Sequence, residues 1–288
     1  MDFPNYFADA KASFSSADYI IYGIPYEQTS SFRHGADKAP THIRQASWNF
    51  ETYNIRTKTD VQDINIHDYG DLPVKQLSPN DMKSSVKTFV SKLQMEKKFG
   101  IALGGDHSIT PGIVETLPKD TIILSLDAHL DYRQEYENNP MNHACVNKRI
   151  TDHLSPKQIY VIGIRSAEKE EYQNAQQDKL NIIDIHLLKK NGFDSEIKTL
   201  YDKLQNKSIY LSLDIDVIDP AFAPATSTPE PFGINPWELL TVIKLFSHNL
   251  IGMDLVEVCP GFDHGQTALL AAKIIREMLA IRSTRKEP

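Results

Sequence analysis

Cysteine is scarce in this chain of 288 residues: only Cys145 and Cys259 occur, far apart and in no paired motif. A disulfide scaffold is thereby excluded, and the expectation is two reduced thiols in a cytoplasmic protein. Long apolar runs are missing too. None approaches the ~20 residues needed to span a bilayer, and the opening Met1-Asp-Phe-Pro-Asn-Tyr6 has neither a basic patch nor an apolar signal core. A soluble protein with no membrane partner is expected. Basic charge is in deficit, with 31 Lys and Arg against 38 Asp and Glu, a formal charge of −7. This balance argues against nucleic acid and against an anionic membrane surface, and mildly favours a cationic ligand. Repeats, low-complexity segments and clear linkers are also absent, so residues 1–288 read as one domain.

What is present is an alternation of two textures. At 41% hydrophobic and 24% charged the composition is that of a globular protein, and one large α/β domain fits this length. Apolar strand-like runs recur at 17–23, 61–68, 99–103, 121–127, 158–164, 181–185, 208–214 and 250–258. Between them lie helical patterns: a short helix from Pro40, then 78–98, 108–117, 143–154, 167–176, 194–206, one from Asn235, and 265–281. Ser78-Pro79-Asn80-Asp81 and Asn235-Pro236-Trp237-Glu238 carry helix-start signatures. Strands that are apolar on both faces and alternate with helices call for a parallel sheet covered on both sides. Ligand groups on such a sheet belong outside the carboxyl ends of the strands.

The candidate chemistry sits at those ends. Leu124-Ser-Leu-Asp-Ala-His-Leu-Asp131 places Asp127, His129 and Asp131 at spacing two, which in an extended chain points all three to one side. Ile209-Tyr-Leu-Ser-Leu-Asp214 ends in Asp214-Ile-Asp216, and Phe99-Gly-Ile-Ala-Leu103 runs into Gly104-Gly-Asp-His-Ser108. An isolated strand-end Asp is by default a turn residue. Two His and four Asp at three strand ends read instead as a metal site: His107, Asp127, His129, Asp131, Asp214 and Asp216. Asp106 is not counted among the ligands. Two divalent cations would balance the four aspartates, and shared carboxylates would hold them about 3.5–4 Å apart. An oxygen-rich set with two imidazoles and no thiolate suits Mn²⁺ better than Zn²⁺.

These segments resemble the ureohydrolases, the family of arginases and agmatinases. Gly104-Gly-Asp-His-Ser108, Ser125-Leu-Asp-Ala-His-Leu-Asp131, Ser212-Leu-Asp-Ile-Asp-Val-Ile-Asp-Pro220 and Asp254-Leu-Val-Glu-Val258 match its motifs in order. The resemblance covers most of the chain. It implies a three-layer α/β/α sandwich around an eight-stranded, mostly parallel sheet, two Mn²⁺ per subunit, and trimers or hexamers. It further implies that His107, Asp127, Asp131 and Asp214 hold one Mn²⁺, and His129, Asp127, Asp214 and Asp216 the other. His143 matches a proton-shuttling histidine and Glu257 the acid that receives a substrate guanidinium. Asp131 would orient the nucleophile, and Thr228 would join His143 and Glu257 around the substrate.

Within the family the chain looks most like an agmatinase, which converts agmatine and water to putrescine and urea. Thr228-Pro-Glu-Pro231 resembles the agmatinase pattern, as does Gly163-Ile-Arg-Ser166, and the loop from Asp131 to His143 carries Glu135 and Glu137. Guanidinobutyrate, arginine and formiminoglutamate are the alternative substrates. One departure is Ala225-Thr-Ser-Thr228, where many agmatinases have Gly-Thr-Gly-Thr; without the glycines, easy positive φ angles are lost and the loop is expected to sit differently.

Overall fold

The computed structural model describes residues 3–284; Met1, Asp2 and residues 285–288 of the expected domain lie outside the described residues. Eight strands form one sheet: Tyr19–Ile24, Ile66–Asp71, Phe99–Gly104, Ile122–Leu126, Ile159–Ile164, Asn181–Asp184, Ile209–Asp214 and Leu250–Val256. Named by first residue, their order across the sheet is Ile66, Tyr19, Phe99, Leu250, Ile209, Ile122, Ile159, Asn181, and every neighbouring pair is parallel.

The apolar runs become strands because both of their faces are used. Along the Phe99 strand, Ile101 and Leu103 enter one core and Ala102 the other; Leu124 and Leu126 oppose Ile123, and Leu211 and Leu213 oppose Tyr210. Helices Ala39–Ser47, Phe193–Leu204, Pro236–Phe246 and Gln266–Ser283 contribute to the first core. Pro79–Met95, Thr110–Val114 and Val146–Ile150 contribute to the second. This is the expected three-layer α/β/α arrangement. The two helix-start signatures act as such: Ser78 accepts from the amide of Asp81, and Asn235 forms a capping box with Glu238. Among the described residues, no helix is long and apolar enough to cross a membrane.

The expected strand at 61–68 is displaced. Asp60 accepts a hydrogen bond from the amide of Gln62 and folds Val61–Asp63 into a 3-10 turn, so the strand starts at Ile66 and includes Tyr69 to Asp71. Helix 143–154 shortens to Val146–Ile150 behind a 3-10 turn at His143–Cys145. Ile185–Asn191 is a helix that the sequence pattern leaves unassigned.

The edge strand at Ile66 is tied down by charge. Arg44, on helix Ala39–Ser47, is 1% exposed. Its Nε lies 2.8 Å from Asp68 Oδ2, its Nη2 3.0 Å from Asp68 Oδ1, and its Nη1 2.6 Å from Asp71 Oδ1. Asp68 also accepts from the amides of Phe7 and Gly70. A buried carboxylate left without its guanidinium is costly, so Arg44→Ala should lower unfolding stability by about 3–5 kcal/mol. Urea denaturation checks this, and a midpoint equal to that of the parent would refute the clamp.

Candidate metal centre

The four strands at the middle of the sheet (Phe99, Leu250, Ile209 and Ile122) are contiguous, and the segments leaving their carboxyl ends converge. From the Phe99 strand the chain turns through Gly104 and Gly105 to Asp106, which caps a 3-10 turn beginning at His107. A Cβ on Gly105 would stand 2.0 Å from the Tyr26 carbonyl oxygen, so only glycine allows this close approach. The Ile209 strand ends in Asp214, which caps the 3-10 turn holding Asp216.

His107 Nδ1 faces three carboxylates, 3.2 Å from Asp127 Oδ2, 3.3 Å from Asp214 Oδ2 and 3.4 Å from Asp131 Oδ2. His129 Nδ1 lies 2.9 Å from Asp216 Oδ2 and 3.7 Å from Asp127 Oδ1. Two groups could each hold a metal ion, with ligand atoms within 4.8 Å of one another: His107, Asp127, Asp214 and Asp127, His129, Asp216. Asp127 belongs to both. Asp131 borders the first group through His107, whereas the contacts of His129 are with Asp127 and Asp216 rather than Asp214.

The extended alternation expected for Asp127, His129 and Asp131 does not occur. The strand stops at Leu126, the His129 amide donates to Asp127 Oδ1 at 2.6 Å, and Asp131 takes a left-handed φ of 49°. The three side chains meet through a turn that bends back on its own first carboxylate.

Several partners were not legible in the motifs. Ser212 Oγ donates to Asp254 Oδ1 at 2.8 Å, and Asp254 Oδ2 accepts from Tyr210 and Thr110. Because the Ser212 proton is committed to Asp254, its oxygen accepts from His107 Nε2, 3.0 Å away. A neutral His107 therefore keeps its proton on Nε2, which leaves Nδ1 toward the carboxylates free to take a metal ion. On the other side, His129 Nε2 lies 3.7 Å from Glu230 Oε1. Arg165 anchors that segment, donating to the carbonyls of Glu230, Asp216, Gly163 and Val217. Only residue types that act alone can be read from a motif; these act across the fold.

Glu257 takes a left-handed φ of 65°; its amide donates to Gly105 O and its Oε1 accepts from the His107 amide at 2.6 Å. Ser227 Oγ donates to its Oε2. Ala225 to Thr228 contain no positive φ, so the missing glycines leave no strain in that loop, and Ser227 supplies a contact that glycine could not. Burial and the nearby Asp106 charge push the Glu257 carboxyl up to about 8.

His107, His129, Asp131, Asp214, Glu257, His143 and Thr228 all line one crevice of about 310 Å³; Asp127 and Asp216 lie beneath it. Arg133, Tyr136, Glu168 and Glu171 also line it, whereas Glu135 and Glu137 do not. Arg133 sits 4.8 Å over the Tyr136 ring with its Nε 3.6 Å from Glu171 and 3.9 Å from Glu168.

A parallel sheet whose central strand ends carry two His/Asp clusters in a crevice defines a metal-binding enzyme. The model described as "Arginase family" matches residues 17–280, and the chain belongs to that family, as a ureohydrolase. It is 35% identical to an agmatinase of Bacillus anthracis over 280 residues, 95% of this chain and 94% of that one. It is 36% identical to an N(1)-aminopropylagmatine ureohydrolase of Thermococcus kodakarensis over 263 residues, 90% of this chain and 88% of that one. The solved agmatine ureohydrolase of Thermoplasma volcanium superimposes with a TM-score of 0.92 at 38% identity, over 98% of this chain and 95% of that one.

Two carboxyls of the cluster, those of Asp131 and Asp214, are held up. Burial, then the Asp127 charge, raise Asp131 to about 7, and burial with Asp216 and Asp127 drives Asp214 well above the usual carboxylate range. Burial alone would depress His107, but Asp127, Asp131 and Asp214 raise it well above an ordinary histidine. A divalent cation must displace these protons. Its uptake should therefore release protons at acidic pH, and the share from Asp131 should fade as pH rises through about 7. Calorimetric titration of Mn²⁺ into stripped protein, in buffers of different ionisation enthalpy, measures this; affinity independent of pH from about 5.5 to about 8.5 would contradict it.

Proposed function

We propose that the protein hydrolyses agmatine to putrescine and urea in this crevice, with two Mn²⁺ ions held by the His/Asp clusters. The observation that carries the reading is the meeting of both clusters, Glu257 and His143 around one cavity. The cluster fits such ions on its own geometry. His107 Nδ1, Asp127 Oδ2 and Asp216 Oδ2 are buried inward-facing atoms that no hydrogen bond satisfies, an expensive arrangement unless cations take their lone pairs. His107, Asp127, Asp131 and Asp214 would hold one ion, and His129, Asp127, Asp214 and Asp216 the other. Bound there, the ions supply the positive charge that makes a water acidic enough to attack near neutral pH.

The remaining work falls to the chain's own side chains. Asp131 accepts a hydrogen bond from the attacking water and aims it. Glu257 pairs with the substrate guanidinium, which returns its raised carboxyl to the charged form and fixes the guanidinium carbon in place. Thr228 lines the same cavity. Attack forms a C–O bond, and the C–N bond to the alkyl chain then breaks. His143 passes the hydroxyl proton to the departing nitrogen, which leaves as putrescine, while the water oxygen stays on urea. Among the residues lining the cavity, Glu168 and Glu171 against Arg133 leave an excess of negative charge, which supports a substrate with an ammonium tail.

Asp127→Ala and Asp214→Ala should each lose bound manganese and urea release together; either variant keeping full activity and metal content would disprove shared ligation. With Mn²⁺ added, agmatine should release urea faster than arginine or guanidinobutyrate. A clear preference for arginine would overturn the substrate assignment, and formamide from formiminoglutamate without urea from agmatine would replace it.

A further inference from the structure

His143 is held by a residue far from it in sequence. Thr29, in the polar loop after the Tyr19 strand, is 5% exposed. Its Oγ1 accepts the His143 backbone amide at 3.0 Å and lies 3.2 Å from the ring Nδ1. The same oxygen donates to Asp106 Oδ2 at 3.0 Å. Asp106 is fully buried, and both its oxygens are occupied as acceptors: Oδ1 by the amide and hydroxyl of Ser108, Oδ2 by the amides of Gln28 and Thr29 and the Thr29 hydroxyl.

The direction of this relay follows from counting protons. A threonine hydroxyl has one proton and two lone pairs. Asp106 takes the proton, so the lone pairs receive the two N–H groups of His143, one from the backbone and one from the ring. The ring is then protonated on Nδ1, which leaves Nε2 for the cavity that His143 lines. Tyr136 stands edge-on to the imidazole, with ring centroids 6.3 Å apart, and limits its swing on the other side.

We propose that Thr29 is a positioning residue for the reaction: backed by Asp106, it fixes the tautomer and orientation of His143 so that Nε2 carries the shuttled proton. This rests on the shuttle role of His143 proposed above. It also assigns Asp106 a purpose other than metal ligation, where the strand end of the metal site meets the Thr29 loop.

Thr29→Val keeps the side-chain shape and removes the hydroxyl. With agmatine and Mn²⁺, its kcat should fall about 10–10²-fold, the scale of a lost hydrogen bond that also frees the tautomer. KM should stay within about threefold, because ground-state binding is untouched. Manganese content should match the parent, Tm should stay within a few degrees of it, and Thr29→Ser should recover kcat to within about threefold. A Thr29→Val enzyme with parental kcat beside an impaired His143→Ala overturns the proposal. So does a loss that follows metal content or Tm, or one that Thr29→Ser does not repair, since either marks a scaffold role. Normal turnover by His143→Ala sinks the shuttle reading itself and the proposal with it.

Discussion

Four aspartates crowd a space from which water is almost excluded, and the centre of the molecule is arranged to make that tolerable. Asp127, Asp131, Asp214 and Asp216 are each no more than 6% exposed. At such spacing their mutual repulsion is met in only two ways, by protons or by cations. The raised carboxyls of Asp131 and Asp214 and the raised imidazoles of His107 and His129 are the proton solution. Asp127 is the exception, depressed because His107 and His129 flank it. Cations solve the same problem without protons, so a divalent metal and these protons compete for the cluster.

A charge cluster of this kind needs rigid delivery, and the sheet provides it. The ligand-bearing segments leave three of four adjacent parallel strands and Glu257 leaves the fourth; each strand is buried on both faces, so the ends are fixed by two cores at once. Final aim comes from local turns: Asp106 and Asp214 each cap the 3-10 turn that carries the next candidate ligand. Asp131 and Glu257 are both held in left-handed backbone, a conformation that costs of order 1–3 kcal/mol for such residues and persists only when the surroundings over-determine it. At Glu257 those surroundings are visible: the Gly105 carbonyl, the His107 amide and the Ser227 hydroxyl.

The layered fold was legible because the strands are short apolar runs that no other element explains, and the six candidate ligands were legible because they follow those runs directly. The alternation at Asp127, His129 and Asp131 is not what makes them converge. A period-two pattern at Asp127, His129 and Asp131 is compatible with a strand, yet the chain turns there, and Asp131 arrives by a positive φ that no side-chain pattern announces. Likewise the strand expected from Val61 starts only at Ile66, because the Asp60 carboxylate accepts the Gln62 amide and folds Val61–Asp63 into a 3-10 turn. The Ser212–Asp254 pair is separated by 42 positions and Thr29 from His143 by 114. Nothing in either local stretch distinguishes these hydroxyls from ordinary surface ones; only the strand order brings them to the histidines.

This division between strand ends and loops also separates chemistry from substrate choice. The metal-facing groups and Glu257 leave central strands and are braced by backbone hydrogen bonds, so small changes there disturb the reaction itself. Arg133, Tyr136, Glu168 and Glu171, which line the same crevice, come instead from the 132–142 loop and the start of helix Lys169–Gln177. Arg133 is held there by a stacking contact and by two acids. Its charge is partly offset by Glu171, which is itself occupied by the amides of Tyr132 and Glu168, leaving Glu168 the freer acid of the two. A scaffold built this way can keep one hydrolytic centre while the length and charge of the accepted guanidino compound vary with a few loop residues.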